Sequence, residues 1–307
     1  MVTEPERIIS SGRIPEDFLA PEIRNEFFVD TTRKKLWAIS LDLLLEFDSV
    51  CKKHNLNYFL AFGTLLGAVR HHGFIPWDDD VDVYMLREDY EKFLLCDKEF
   101  KDPYFFETPY TDPGYFYSSA RIRNSNTTAI VDTFRYQGFN QGVWLTIFPI
   151  DNWMLERGDD NYERIKTLLK ENSTYMRLTN PTLDEYHYER VRNYSGRDPF
   201  DTYEEIHRIA SQYRTKDTDK VAMIVNTVYP YHKLVYNKSD FSETVYVNFE
   251  NVKLPIPSGY QNILKTLYGD YMSFPPIEQR GNWHTGMFID PDKPYKYYID
   301  KDQSIRK

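Results

Sequence analysis

The chain lacks most of what would staple a small secreted domain or anchor one in a bilayer. It has two cysteines, Cys51 and Cys96, in 307 residues. Two thiols in predicted helices give neither a disulfide framework nor a zinc-ligand spacing, and fit a reducing compartment. No apolar run opens the chain and none reaches spanning length, so neither a signal peptide nor a transmembrane helix is expected and the expected location is cytoplasmic. The sequons at Asn126 and Asn172 then read as chance matches. Positive charge is in deficit too: 38 Lys and Arg against 47 Asp and Glu leave a net charge of −9. A general nucleic-acid binder needs a basic surface, so no nucleic acid is expected as partner. Repeats and low-complexity tracts are absent as well.

What the chain has is length, aromatic rings and one unusual stretch. Its length suits one large or two modest domains with a real core. The 25 Tyr and 20 Phe argue against extensive disorder. They serve ordinary packing, sugar grooves or a cage for a quaternary ammonium. Leu36, Ile39, Leu43, Phe47 and Val50 recur at helical spacing, predicting a helix over about 32–54 with Lys52, Lys53 and His54 at its end and Asn55 as cap.

The stretch is Tyr58–Met85, YFLAFGTLLGAVRHHGFIPWDDDVDVYM. An apolar run breaks at Gly63-Thr64 and a short helix follows, closed by Arg70, His71, His72 and Gly73. Asp78, Asp79, Asp80, Val81, Asp82 and Val83 come next. In a strand, alternation puts Asp80 and Asp82 on one face and the valines on the other. Asp is depleted from strands, and two carboxylates on a half-buried face repel. Mg²⁺ (or Mn²⁺) removes both objections and keeps positions open for phosphate oxygens. Backbone N–H groups at the Gly63-Thr64 turn suit an anion. Asp80 and Asp82 are therefore the candidate metal ligands and catalytic carboxylates; Gly63, Thr64 and Arg70 are candidates for the phosphate.

FGTLLGAVRHHGFIPWDDDVDV, with Arg87-Glu88-Asp89-Tyr90 after it, resembles the LicD family of phosphotransferases, to which fukutin is related. Weaker similarity runs through RIRNSNTT (121–128), GVWLTIFPID (142–151) and Tyr268-Gly269-Asp270-Tyr271. The resemblance implies an α+β fold with a nucleotidyltransferase-like mixed sheet, helices on its flanks and a helical insertion. It implies a CDP-alcohol donor, CDP-choline first among them, and a divalent metal. It also implies a cell-surface glycan as acceptor, such as teichoic acid or lipopolysaccharide, carried on a lipid and met by peripheral contact with the membrane. There is one departure: the family's later strand carries an Asp where this chain has Thr146, and a hydroxyl is no base near neutral pH.

Four segments are expected: an N-terminal arm (1–30), the nucleotidyltransferase-like core (31–155), a mainly helical insertion (156–240) and a C-terminal segment returning to the core (241–307). Arg87–Phe100 reads as a helix. Arg121 and Arg123 share a strand face, suiting either a diphosphate or a charged edge. On the 142–150 strand Trp144, Thr146 and Phe148 share a face. With Thr146 in the acid's place, either Asp132, Asp151, Asp78 or His284 acts as base or the metal alone lowers the pKa of the acceptor hydroxyl; Asp151 beside a proline also reads as a turn or cap residue. Two rivals remain: nucleotidyl transfer from an NTP on the same metal site, and a binding protein that has lost its base.

Overall fold

The computed structural model describes residues 2–154, 158–181, 183–225, 229–281 and 287–299. The chain opens with a short helix α1 (Glu4–Ser10) and a hairpin, β1 (Glu22–Arg24) and β2 (Phe27–Val29). Both pack on α2 (Thr31–His54), where Arg7 and Arg13 reach the buried carboxylate of Asp42. Helix α2 begins where Asp30 accepts the Arg33 N–H at 2.8 Å. It ends at Asn55 in the left-handed conformation (φ 59°), as its sequence predicts.

The core sheet is mixed and seven-stranded. It contains β3 (Phe59–Leu60), β4 (Val81–Leu86), β5 (Tyr104–Glu107), β6 (Ala120–Asn124) and β8 (Val143–Trp153), with β7 (Thr128–Val131) outside it. Strand β8 is apolar along most of its length and central for that reason. It runs parallel to β4 and antiparallel to β6. Helices α3 (Phe62–Arg70) and α4 (Arg87–Phe93) flank β4. Helix α4 stops earlier than the periodicity suggests, because the chain tightens to three-residue hydrogen bonds at Leu95 and Cys96.

One face of the sheet is closed by α2, which lies across β6 and β8. Val81, Val83, Ile122, Leu145 and Ile147 point that way and are fully buried. The other face carries the cavity described below.

The insertion holds α5 (Gly158–Tyr175), α6 (Glu185–Arg192) and α7 (Pro199–Ala210). Asp198 caps α7 and Pro199 occupies its first turn. The chain then rejoins the sheet through β9 (Lys220–Ala222) and β10 (Val235–Asn237). A hairpin, β11 (Thr244–Phe249) and β12 (Val252–Pro257), leads to α8 (Tyr260–Tyr268). Finally β13 (Met287–Asp290) pairs with β7. The architecture is the α+β arrangement expected. Among the described residues no helix is long and apolar enough to cross a membrane.

Candidate active site

Strand pairing assembles the site. Asp82 on β4 lies opposite Thr146 on β8, Thr146 opposite Arg121 on β6, and Arg121 opposite Glu107 on β5. Directly paired residues share a face, so acid, hydroxyl, guanidinium and acid form one row across four strands. Tyr84 and Phe148 make the next row toward the C-terminal end of β4, and Arg123 and Trp144 pair on the other side of the polar row. This face opens on a cavity of about 700 Å³ lined by Asp78, Asp80, Asp82, Arg121, Thr146 and Trp144, among others.

The acidic end is built by the irregular segment ahead of β4. Asp80 sits just before the strand, which begins at Val81, yet lines the same cavity as Asp82. Carboxylate oxygens of Asp78, Asp79 and Asp80 all lie within 4.8 Å of one another. Asp79 is buried, and Arg33 donates to the Asp78 carbonyl at 2.8 Å. Gly63 explains itself here: a Cβ on it would come within 2.3 Å of Asp78 Oδ2, so only glycine lets that carboxylate approach the helix. A cluster of hard oxygen donors suits Mg²⁺ or Mn²⁺.

Helix α3 starts one residue before Gly63, so Gly63 and Thr64 are its first turn rather than a turn ahead of it. Phe62 takes φ 43°, a conformation that costs a bulky residue free energy. It is held there by ring contacts with Tyr84, Phe148 and Tyr229 at 5.1, 5.4 and 5.3 Å. Thr64 does not line the cavity. Its buried hydroxyl accepts the Asp82 N–H at 2.9 Å, fastening α3 to the acidic strand. Arg70 does line it, but its guanidinium donates to the carbonyls of Tyr271 and Ser273, both at 2.9 Å. Its visible work is tying α3 to the 271–275 segment, which also lines the cavity.

Arg121 and Arg123 differ in situation. Arg123 is 2 % exposed and donates to Glu107 Oε2 at 2.7 Å and to the Gly142 carbonyl at 2.9 Å. Arg121 stacks over Tyr117 and Trp144, each ring centre 4.7 Å away. Its Nε is buried without a hydrogen-bond partner among the described residues. Burial pushes the Glu107 carboxyl up to about 7, against the pull of Arg123 and Arg121. Arg123 is thus paired with Glu107, while Arg121 offers an unpaired Nε–H, which favours an anion in the cavity.

Other sequence candidates fall elsewhere. Asp132 is exposed, pairs with Arg135 at 3.0 Å and is not part of the cavity lining, because the turn after β7 carries it outward. Asp151 is no turn residue. It lies in β8, buried, and accepts from Arg87 at 2.6 and 2.7 Å. His284 lies outside the described residues. Thr146, 4 % exposed, stands between Asp82 and Arg121, where the resemblance expects an acid. Sequence reasoning missed Glu107, Asp270 and the aromatic lobe of Phe116, Phe134, Phe139 and Met176. Glu107 ends β5 and Asp270 lies in the Tyr268-Gly269-Asp270-Tyr271 stretch, where nothing local shows that either comes near the site; the lobe residues come from loops and the insertion, where no motif marks them.

Residues 55–166 match the family described as LicD/FKTN/FKRP, nucleotidyltransferase domain. Over 269 residues the chain is 26% identical to the lipopolysaccharide cholinephosphotransferase LicD of Haemophilus influenzae, covering 82% of this chain and 96% of that protein. Shorter stretches match two uncharacterised rickettsial proteins. One, from Rickettsia typhi, is 43% identical over 65 residues, 21% of each chain. The other, from Rickettsia prowazekii, is 47% identical over 53 residues, 17% of this chain and 20% of that one.

Proposed function

Because residues 55–166 match the LicD/FKTN/FKRP nucleotidyltransferase domain, we propose that this chain transfers a phospho-alcohol, phosphocholine first among the choices, from a CDP-linked donor to a hydroxyl of a cell-surface glycan. Lipopolysaccharide is the acceptor that the Haemophilus relative suggests. The observation that carries the reading is the Asp82–Thr146–Arg121 row, with Asp78 and Asp80 beside it on one cavity wall.

Asp80 and Asp82, with Asp78 adjacent, would hold Mg²⁺ or Mn²⁺, which when bound neutralises phosphate charge and lowers the cost of the leaving CMP. Arg121 engages the diphosphate, its Nε–H having no partner among the described residues. Gly63 keeps the phosphate side open by admitting Asp78. Tyr229, Tyr268 and Phe62 wall the acidic end and exclude water. The proton of the acceptor hydroxyl goes to a cavity carboxylate. Asp132 points away and Asp151 is taken by Arg87; among the described residues Asp78 and Asp270 line the cavity and can take it.

Thr146 favours a second reading, a homologue that binds the donor without turning it over. The products separate the cases: CMP for phospho-alcohol transfer, pyrophosphate for nucleotidyl transfer, and neither for a binding protein. The test is a thermal-shift panel with and without Mg²⁺ using CDP-choline, CDP-ribitol, CDP-glycerol, CTP and ATP, on the wild type and Asp80→Asn. A ligand that binds only the folded state raises its apparent stability. A metal-dependent shift with one CDP-alcohol, lost together with CMP release in Asp80→Asn, is expected. Wild-type rates in that variant sink the assignment.

A further inference from the structure

The cavity's second lobe contains a polar group that phosphate transfer leaves unused. Gln141 is 2 % exposed and lines the cavity. Its Nε2 donates to the Gln137 carbonyl at 3.2 Å. That contact settles which end of the amide is oxygen, since the flipped amide would set two oxygens against each other. Oε1 is then a buried acceptor with no hydrogen-bond partner among the described residues. Leaving such an oxygen unsatisfied is costly, so a ligand N–H or O–H is the natural partner.

The surroundings narrow the ligand. The lobe is walled by rings: Tyr117, Phe134, Phe139 and Trp144. Faces of this kind stack a flat heteroaromatic ring. Trp144 precedes Thr146 by two residues on β8, roughly 7 Å along the strand. Arg121 lies over the same Trp144 ring at 4.7 Å, with its Nε also unpartnered. The lobe therefore offers stacking faces between a phosphate anchor and a lone acceptor. Three guanidiniums already lie against its rings: Arg121 and Arg123 over Trp144, and Arg177 over Phe134. A cationic head group is disfavoured there, and a neutral ring bearing an N–H donor is favoured.

We infer that Gln141 reads the base of the donor: its Oε1 accepts an N–H of the exocyclic amine of cytosine, stacked among Tyr117, Trp144 and Phe134, while Arg121 engages the diphosphate. The inference rests on the CDP-donor reading above. Uracil places a carbonyl where cytosine carries the amine, so two acceptors would face each other. A site built to accept from a ligand N–H rejects the analogue that lacks it far more strongly than a site that merely accommodates size.

The experiment measures dissociation constants of CMP, UMP and the monophosphate of 2-pyrimidinone riboside, which has no exocyclic group, by calorimetry on the full chain with Mg²⁺. The same three are measured on Gln141→Met, whose fold is checked by its melting curve. In the wild type CMP binds at least about tenfold more tightly than UMP, with the third ligand between them. In Gln141→Met the CMP-to-UMP ratio falls to within about threefold, through weaker CMP binding at unchanged UMP binding. Equal binding of the three ligands by the wild type overturns the inference without recourse to a variant. A ratio that survives in Gln141→Met overturns it too. If CDP-choline gives its metal-dependent thermal shift while CMP and UMP bind alike, only the Gln141 assignment falls. If no nucleotide binds and no shift appears, the donor reading falls with it.

Discussion

Replacing Thr146 by Asp tests whether the polar row faces the metal. Thr146 is buried and lies directly opposite both Asp82 and Arg121. Paired positions on neighbouring strands hold their side chains about 5 Å apart. At an effective dielectric of about 20, two charges at that distance interact by about 3 kcal/mol. Repulsion from Asp82 and attraction to Arg121 then nearly cancel. What remains is the desolvation of a buried carboxylate, worth several kcal/mol. Thr146→Asp should therefore be about 1–3 kcal/mol less stable than the neutral isostere Thr146→Asn when metal is chelated. A divalent cation held by Asp80 and Asp82 reverses the balance, because the new carboxylate joins its ligands. Tenfold tighter metal binding corresponds to about 1.4 kcal/mol, which in a chain of this size moves the melting temperature by roughly 2–4 °C. The assay is thermal unfolding of both variants in EDTA and across a Mg²⁺ titration. Identical Mg²⁺ responses in the two variants would refute the claim that position 146 faces the metal. Turnover in Thr146→Asp then separates the functional readings, since a protein that had lost its base gains activity from the restored acid.

Three further outcomes are expected. Asp151→Ala should cost about 3–5 kcal/mol in urea unfolding, since it strands the buried Arg87 guanidinium; the pair Arg87→Met with Asp151→Leu should recover most of that, and an undiminished loss in the pair would point to strain rather than charge. Gly63→Ala should weaken the Mg²⁺ response at least about tenfold with little loss of fold, because the new Cβ displaces the flexible end of Asp78; an unchanged titration would remove Asp78 from the metal site. Glu107 gives a pH signature. Its folded value is raised by burial from 4.5 to about 7, so its contribution is complete below pH 4.5 and is lost as pH rises through about 7. Glu107→Gln mimics the neutral acid, and its stability relative to wild type should rise by on the order of 2–3 kcal/mol between pH 4.5 and pH 8; a flat difference curve would mean that Glu107 is ionised throughout.

Local sequence was most informative where one element carries its own signals. Helix α2 could be read from its apolar stripe, its basic last turn and its Asn55 stop. The PWDDDVD run announced an acidic strand, and alternation correctly put Val81 and Val83 in the core. Alternation also grouped Trp144, Thr146 and Phe148 on one face of β8, because side-chain direction along a strand is a property of the strand alone.

Partners were a different matter. Nothing near Asp151 in the chain indicates that it belongs to Arg87, 64 residues away. Nothing near Asp132 indicates that the turn after β7 sends it to solvent. Nothing near Thr64 indicates that its hydroxyl accepts the Asp82 amide, 18 residues away. Arg121 and Arg123 are indistinguishable by spacing, yet Arg123 is bound to Glu107 and Gly142 while Arg121 lies against rings with its Nε open.

The sequence by itself thus determined which residues could face together and where charge would be too costly without a counter-ion, because period and propensity act over a few residues. Only the tertiary structure decided which strand lies beside which. Register is set by core packing over the whole sheet, and that register put Thr146 between Asp82 and Arg121 and brought Gln141 to the far end of the same cavity.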